Sequence, residues 1–106
     1  MRASTVELTR MQASATEACK LMKVLSNPDR LMILCQLSKG ELCVGDIEEE
    51  LGIVQPTLSQ QLTVLRDEAL VSTRREGKNI YYQLSSPRVM TVIKVLYNEF
   101  CNKETR

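Results

Sequence analysis

The sequence predicts a mainly α-helical protein of about five helices with one two-stranded β-hairpin near its carboxyl end, and three observations lead there. Apolar residues recur at steps of three and four over most of the 106 positions, the stripe of amphipathic helices. The breaks in that period carry helix-start or helix-stop chemistry, as at Asn27-Pro28, Gly52 and Ser86-Pro87. Only residues 70–84 read otherwise, with β-branched and aromatic residues on either side of a turn.

In residues 6–25, Met11, Ala15, Ala18, Met22 and Leu25 form one apolar stripe, so the first helix has a face to bury. Ser26-Asn27-Pro28-Asp29 ends it and starts the next. Asn27 is a favoured N-cap, Pro28 suits the first helical position and Asp29 complements the positive helix end. The second helix turns Leu31, Leu34, Cys35 and Leu37 inward, and Gly40 stands where it would close the helix. Residues 44–51 form a short helix with Val44, Ile47 and Leu51 on one side and acids on the other, stopped by Gly52. Gln55-Pro56 opens a fourth helix, with Pro56 at its first position and Leu58, Leu62 and Leu65 at the buried spacing. Its outer face carries Thr57, Gln60, Gln61 and Val64, flanked by Ser59 and Thr63. Residues 70–75 and 80–84 pair about Glu76-Gly77-Lys78-Asn79, with Arg74, Arg75 and Lys78 at the tip. Ser86-Pro87 starts the last helix, striped by Val89, Ile93, Leu96, Tyr97 and Phe100.

Two short helices across a glycine link make a helix-turn-helix, and a basic ribbon after it makes the winged-helix arrangement. The amide and hydroxyl groups of the fourth helix suit hydrogen bonding to base edges in a major groove. An ordinary solvated helix face is the alternative. The first and last helices carry more apolar surface than so small a core can cover, so a twofold homodimer is expected, which sets two reading helices about one DNA turn apart.

Composition narrows the function further. At 106 residues the chain suits a single domain spanning 1–106, and 43% hydrophobic with 25% charged residues is a globular balance. No apolar run approaches the ~18 residues of a membrane span, so no membrane partner and a soluble, cytoplasmic location are expected. There is no His, which removes the usual general base, the His-activated nucleophiles and every zinc site that needs imidazole. Neither an enzyme nor a cofactor is expected. The net charge of +1 conceals a local cancellation: residues 41–54 hold five acids and no base, which leaves the remaining surface modestly basic and compatible with phosphate contacts.

Leu25-Ser26-Asn27-Pro28-Asp29-Arg30-Leu31, the segment Glu41-Leu42-Cys43-Val44-Gly45-Asp46-Ile47, and Gln55-Pro56-Thr57-Leu58-Ser59-Gln60-Gln61-Leu62 through Leu65-Arg66-Asp67 occur in order. With Ile80-Tyr81-Tyr82-Gln83-Leu84 in the wing, residues 12–102 resemble the arsenical-resistance repressor (ArsR) family of dimeric winged-helix regulators. The resemblance implies a repressor that occupies a double-stranded DNA operator with inverted-repeat symmetry and leaves it when an inducer binds. It assigns DNA contacts to Gln55, Thr57, Ser59, Gln60, Gln61 and Thr63, with Arg75 and Lys78 working from the wing.

The inducer is a question of sulfur chemistry. The family's zinc or nickel site on the last helix uses His and cannot be built here. Its arsenic(III) site uses Cys-Val-Cys-Asp where this chain reads Cys43-Val44-Gly45-Asp46, one thiolate short of what a soft metalloid needs. No metal site is expected, and sensing of a soft metal or metalloid through Cys43 with Cys19 or Cys35 stands as the alternative. Arg30-Leu31-Met32-Ile33-Leu34-Cys35 and Leu96-Tyr97-Asn98-Glu99-Phe100-Cys101 are similar to the thiol-based, sulfide-responsive branch of the family. That resemblance implies that Cys35 and Cys101 become joined by a disulfide or polysulfide bridge when reactive sulfur species accumulate, which relieves repression. Each added sulfur lengthens the bridge by about 2 Å and relaxes the ~7 Å limit between Cα atoms of a direct disulfide. Which thiol attacks first stays open, and a free Cys as a small apolar filler is the competing reading of each. Two readings from other classes remain: a thiol oxidoreductase, which the absence of Cys-x-x-Cys disfavours, and a winged helix that binds proteins instead of DNA.

Overall fold

Ser4 and Glu7 form a reciprocal cap at the start of α1 (Thr5–Leu25), with Glu7 N–H donating to Ser4 Oγ at 3.1 Å and Ser4 N–H to Glu7 Oε1 at 3.4 Å. The computed structural model describes residues 4–101, so the outermost positions of the expected 1–106 span lie outside it. Asn27 caps α2 (Pro28–Leu37) as expected, its Oδ1 accepting from Arg30 N–H at 3.0 Å. The helix ends at a Ser38 cap, not at Gly40. The Ser38 hydroxyl donates to the Cys35 carbonyl at 2.6 Å, so an orphan acceptor of the last turn is already satisfied.

Leu42–Cys43 is a short strand, β1, followed directly by α3 (Val44–Leu51), which Gly52 closes in the left-handed conformation at φ 69°. The fourth helix, α4, spans Thr57–Asp67. Pro56 is its N-cap instead of its first helical residue, and the Gln55 side-chain oxygen supplies the capping acceptor, taking a hydrogen bond from Ser59 N–H at 3.1 Å. The wing is β2 (Val71–Glu76) and β3 (Asn79–Leu84), paired from Val71↔Leu84 to Glu76↔Asn79, and Gly77 at φ 65° supplies the tight turn. Helix α5 (Pro87–Phe100) starts from Ser86, whose Oγ accepts from Val89 N–H.

The sheet is three-stranded, in the order β1-β3-β2, where the sequence predicted two strands. Strand β1 pairs with β3 through Leu42↔Tyr82 and Cys43↔Tyr81. Two residues show no measurable period-2 pattern, and their pairing is long-range, which is why β1 was not expected.

Helix α2 is the centre of the molecule, packed against α1, α3, α4, α5 and β3. Ile33 and Leu34 from it meet Ile47, Leu58, Leu65, Val89 and Ile93, all fully buried. Each such side chain contributes on the order of 1.5–3 kcal/mol. Helix α1 buries only Val24 completely, with Leu21 and Leu25 partly covered; Met11 and Met22 of the expected stripe are 59% and 58% exposed. The first half of the α5 stripe is buried, while Phe100 at its end is 68% exposed.

Candidate functional site

The loop before α4, α4 itself and the wing hold the residues expected to meet DNA. Leu58, Leu62 and Leu65 bind α4 to the core, which turns Ser59, Gln60 and Thr63 to solvent, with Thr57 half-buried. The Ser59 hydroxyl donates to Gln55 Oε1 at 2.6 Å, and Thr63 Oγ1 donates to the Ser59 carbonyl at 2.8 Å. Gln55 therefore works first as a cap, with its amide NH2 left over. Val64, placed on the outer face by its spacing, is half-buried against the core instead, because an apolar helix face is wider than a strict three-four stripe.

Gln61 is also half-buried. Its Oε1 accepts from Arg30 Nη1 at 2.9 Å, while Arg30 Nε donates to the Val24 carbonyl at 2.7 Å and Nη2 to the Lys23 carbonyl at 3.3 Å. One guanidinium thus ties the end of α1 and the start of α2 to the middle of α4. Sequence reasoning placed Arg30 only within a motif. Its position after an N-cap gave no sign that it reaches 31 residues along the chain to Gln61.

In the wing, Arg74 and Arg75 stand at adjacent strand positions and project to opposite faces. Arg74 donates to both Glu41 oxygens at 2.8 Å and to Glu76 at 2.6 Å, and stacks 4.5 Å from the Tyr81 ring centre. These hydrogen bonds hold the Glu41 carboxyl below its usual range and raise the Arg74 pKa further. Arg74 is thereby fixed to the segment that leads into β1. Arg75 and Lys78 are exposed and carry no ion pair among the described residues, so their charges are available to phosphates.

The cysteines fall into separate environments. Cys19 is exposed on α1, and half-buried Cys43 caps α3 without a side-chain bond. Cys35 on α2 and Cys101 at the end of α5 line one cavity of about 300 Å³, walled by Leu31, Leu96, Tyr97 and Phe100. Cys35 is half-buried and Cys101 exposed, and both thiols are free. Burial pushes the Cys35 thiol above its ordinary pKa, the neighbouring Cys101 charge adds to the rise, and Lys39 opposes it. The cavity walls are largely apolar, and with Phe100 and Cys101 exposed the recess is open to solvent. Among the described residues no group of three or more Cys, Asp or Glu could hold a metal ion, and no helix is long and apolar enough to cross a membrane.

A third feature lies between α1 and α5: a groove of about 470 Å³ lined by Ser14, Ala18, Leu21, Met22, Leu25 and Val92, with Glu17 and Arg88 at its margin. It joins the uncovered stripe of α1 to the flank of α5 at Arg88 and Val92.

Comparison with known proteins places these features among relatives. The profile described as bacterial regulatory protein, arsR family, matches residues 27–73. The biofilm growth-associated repressor of Xylella fastidiosa is 47% identical over 107 residues, covering 98% of this chain and 94% of that one. The crystal structure of the transcriptional repressor BigR from Xylella fastidiosa superposes with a TM-score of 0.83 at 46% identity, over 88% of this chain and 95% of the other. Reduced HlyU from Vibrio cholerae superposes with a TM-score of 0.83 at 39% identity, over 87% and 97%.

Proposed function

This chain belongs to the arsR family of bacterial regulatory proteins, and from that premise we propose that it is a homodimeric repressor whose operator is released when reactive sulfur species link Cys35 to Cys101. That it is a transcriptional repressor with a DNA-binding winged helix, and not an enzyme, follows from the relatives; the sensing chemistry is our reading. The observation that carries it is the shared cavity of Cys35 and Cys101, residues far apart in sequence. A relative studied in a named reduced form agrees with a thiol switch.

We infer the order of events from exposure: Cys101, which is exposed, attacks first, and half-buried Cys35, whose thiol burial pushes above its ordinary pKa, closes the bridge. The Cys101 thiolate attacks the outer sulfur of a persulfide RSSH, the donor S–S bond breaks, and RS⁻ leaves with the electron pair and takes up a proton. Cys101 is oxidised to Cys101–S–SH. Attack of the Cys35 thiolate on the inner sulfur then expels HS⁻ and leaves a disulfide. A second RSSH before closure adds one sulfur and gives a trisulfide, with HS⁻ again the leaving group. A reducing cytoplasm would keep both thiols free until such donors appear.

On DNA, Thr57, Ser59, Gln60 and Thr63 read base edges or nearby phosphates, with the free amides of Gln55 and Gln61 beside them, and Arg75 and Lys78 grip the backbone. The exposed stripe of α1 and the uncovered apolar residues of α5 pack against those of a second copy. Helix α2 carries both Cys35 and Arg30, and Arg30 holds Gln61, so a bridge that shifts α2 against α5 acts on the reading helix. A coupling of about 1–3 kcal/mol, or roughly 5–150-fold in operator affinity, is typical. The test is operator release by persulfide, hydrogen peroxide, zinc and arsenite on the wild type, Cys35→Ser and Cys101→Ser, with peptide mass spectrometry. Persulfide release with a Cys35–Cys101 crosslink, lost in both variants, is expected. Undiminished release in either variant refutes the switch.

A further inference from the structure

Sharing Tyr97 with the thiol cavity is a second pocket, of about 280 Å³, lined by Ser38, Lys39, Lys94, Tyr97 and Asn98. Tyr97 is a wall of both. Lys39 Nζ stands 5.7 Å from the Tyr97 ring centre, and neither lysine pairs with a carboxylate among the described residues. Lys39 complements the carbonyl end of α2, yet that role does not explain why Lys94 and Asn98 of α5 converge on the same hollow. Two lysines and an asparagine lining one small concavity, which shares Tyr97 with the apolar chamber lined by the two cysteines, make a bipartite recess: one compartment for charge, one for sulfur.

We propose that the Lys39–Lys94 pocket docks the carboxylate of the sulfur donor, so that the inducer is an anionic, carboxylate-bearing low-molecular-weight persulfide whose outer sulfur enters the cavity beside Cys101. This rests on the reading of Cys35 and Cys101 as the sensor. The docked carboxylate is held by Lys39, Lys94 and Asn98 while the aliphatic part of the donor passes along Tyr97. The sulfur transfer is the one written above: the donor S–S bond breaks, RS⁻ leaves to be protonated, and Cys101 gains the outer sulfur. Lys39 also bears on the Cys35 thiol, which ties the charge compartment to the reactive one.

The test compares N-acetylcysteine persulfide, which is an anion, with the persulfide of its methyl ester, which is neutral. The second-order rate of the first sulfur transfer is measured by quenching and intact-mass analysis of the reduced protein, for the wild type and for Lys39→Gln combined with Lys94→Gln. The quantity read is the ratio of the two rates in each protein, so that intrinsic donor reactivity and any change in thiol acidity cancel. A fall of the acid-to-ester ratio by about threefold to tenfold in the double variant, shrinking as salt screens the lysines, is the expected result. An unchanged ratio, with crosslinking of Cys35 to Cys101 still observed, overturns the docking site and leaves the sensor reading intact. Absence of any Cys35–Cys101 crosslink with either donor overturns both. Operator affinity of the reduced double variant serves as the control for folding: an unaltered value keeps the ratio interpretable, and a drop traced to the lysines contacting phosphate overturns the assignment to the donor.

Discussion

At Cys35 the apolar chamber favours the uncharged thiol, which sets the pH behaviour expected of the proposed switch. Closure needs the Cys35 thiolate, so its rate is expected to climb about tenfold per pH unit through neutrality and to keep climbing above the ordinary thiol range. Lys39→Gln removes the one opposing charge and displaces the rise to higher pH, as stopped-flow crosslinking at several pH values will show. The same ionisation acts on stability: with the folded pKa above the unfolded one, the Cys35 contribution is complete below the unfolded pKa and lost as pH rises through the folded value. Cys35→Ser should flatten that alkaline decline in urea melts. In the wing, Arg75→Ala and Lys78→Ala are each expected to lower the slope of log affinity against log salt by about one. Arg74→Ala should act differently, because its guanidinium already belongs to Glu41, Glu76 and Tyr81; faster amide exchange in β2 and β3 is the expected readout. None of these distinctions is written in the local sequence: Arg74 and Arg75 are adjacent arginines there, and only the strand alternation together with distant Glu41 separates them.

At the scale of helices and strands, Arg30 joins α1, α2 and α4 by three side-chain hydrogen bonds. Arg30→Ala leaves the Val24 and Lys23 carbonyls and Gln61 without this partner. A loss of about 1–3 kcal/mol in urea unfolding is expected, together with a smaller fall in operator affinity on persulfide treatment than in the wild type. The helices themselves were legible because capping residues and apolar spacing agree at each boundary: Asn27, Gly52 and Ser86 stand where a helix starts or stops. Gly40 misled, since Ser38 satisfies the helix end two residues earlier, and β1 escaped because two residues carry no period. The turn of Gln61 toward Arg30 escaped too, as a polar residue on an amphipathic helix reads as solvent-facing until a long side chain from another helix claims it.

For the molecule as a whole, the groove between α1 and α5 is the surface on which the proposed dimer depends. Met22→Lys places a charge in the groove with Leu21, Leu25 and Val92 and is expected to halve the mass seen by sedimentation equilibrium and to abolish tight operator binding. The proposal of a dimer rests on the same excess of apolar stripe over available core that the sequence displays. The nearness of Cys35 and Cys101 was legible only through likeness to a family, because spacing along the chain says nothing about which helix end meets which helix middle. That meeting joins the most deeply packed helix to the last turn of α5, whose closing bond runs from Cys101 N–H to the Tyr97 carbonyl. A covalent tie there would encircle most of the fold, a ring large enough to withhold about 4 kcal/mol of freedom from the unfolded chain. The induced protein would then be the sturdier one, slower to melt and slower to be digested, and the cell's record of a sulfur pulse would outlast the pulse until a reductant reopened the ring.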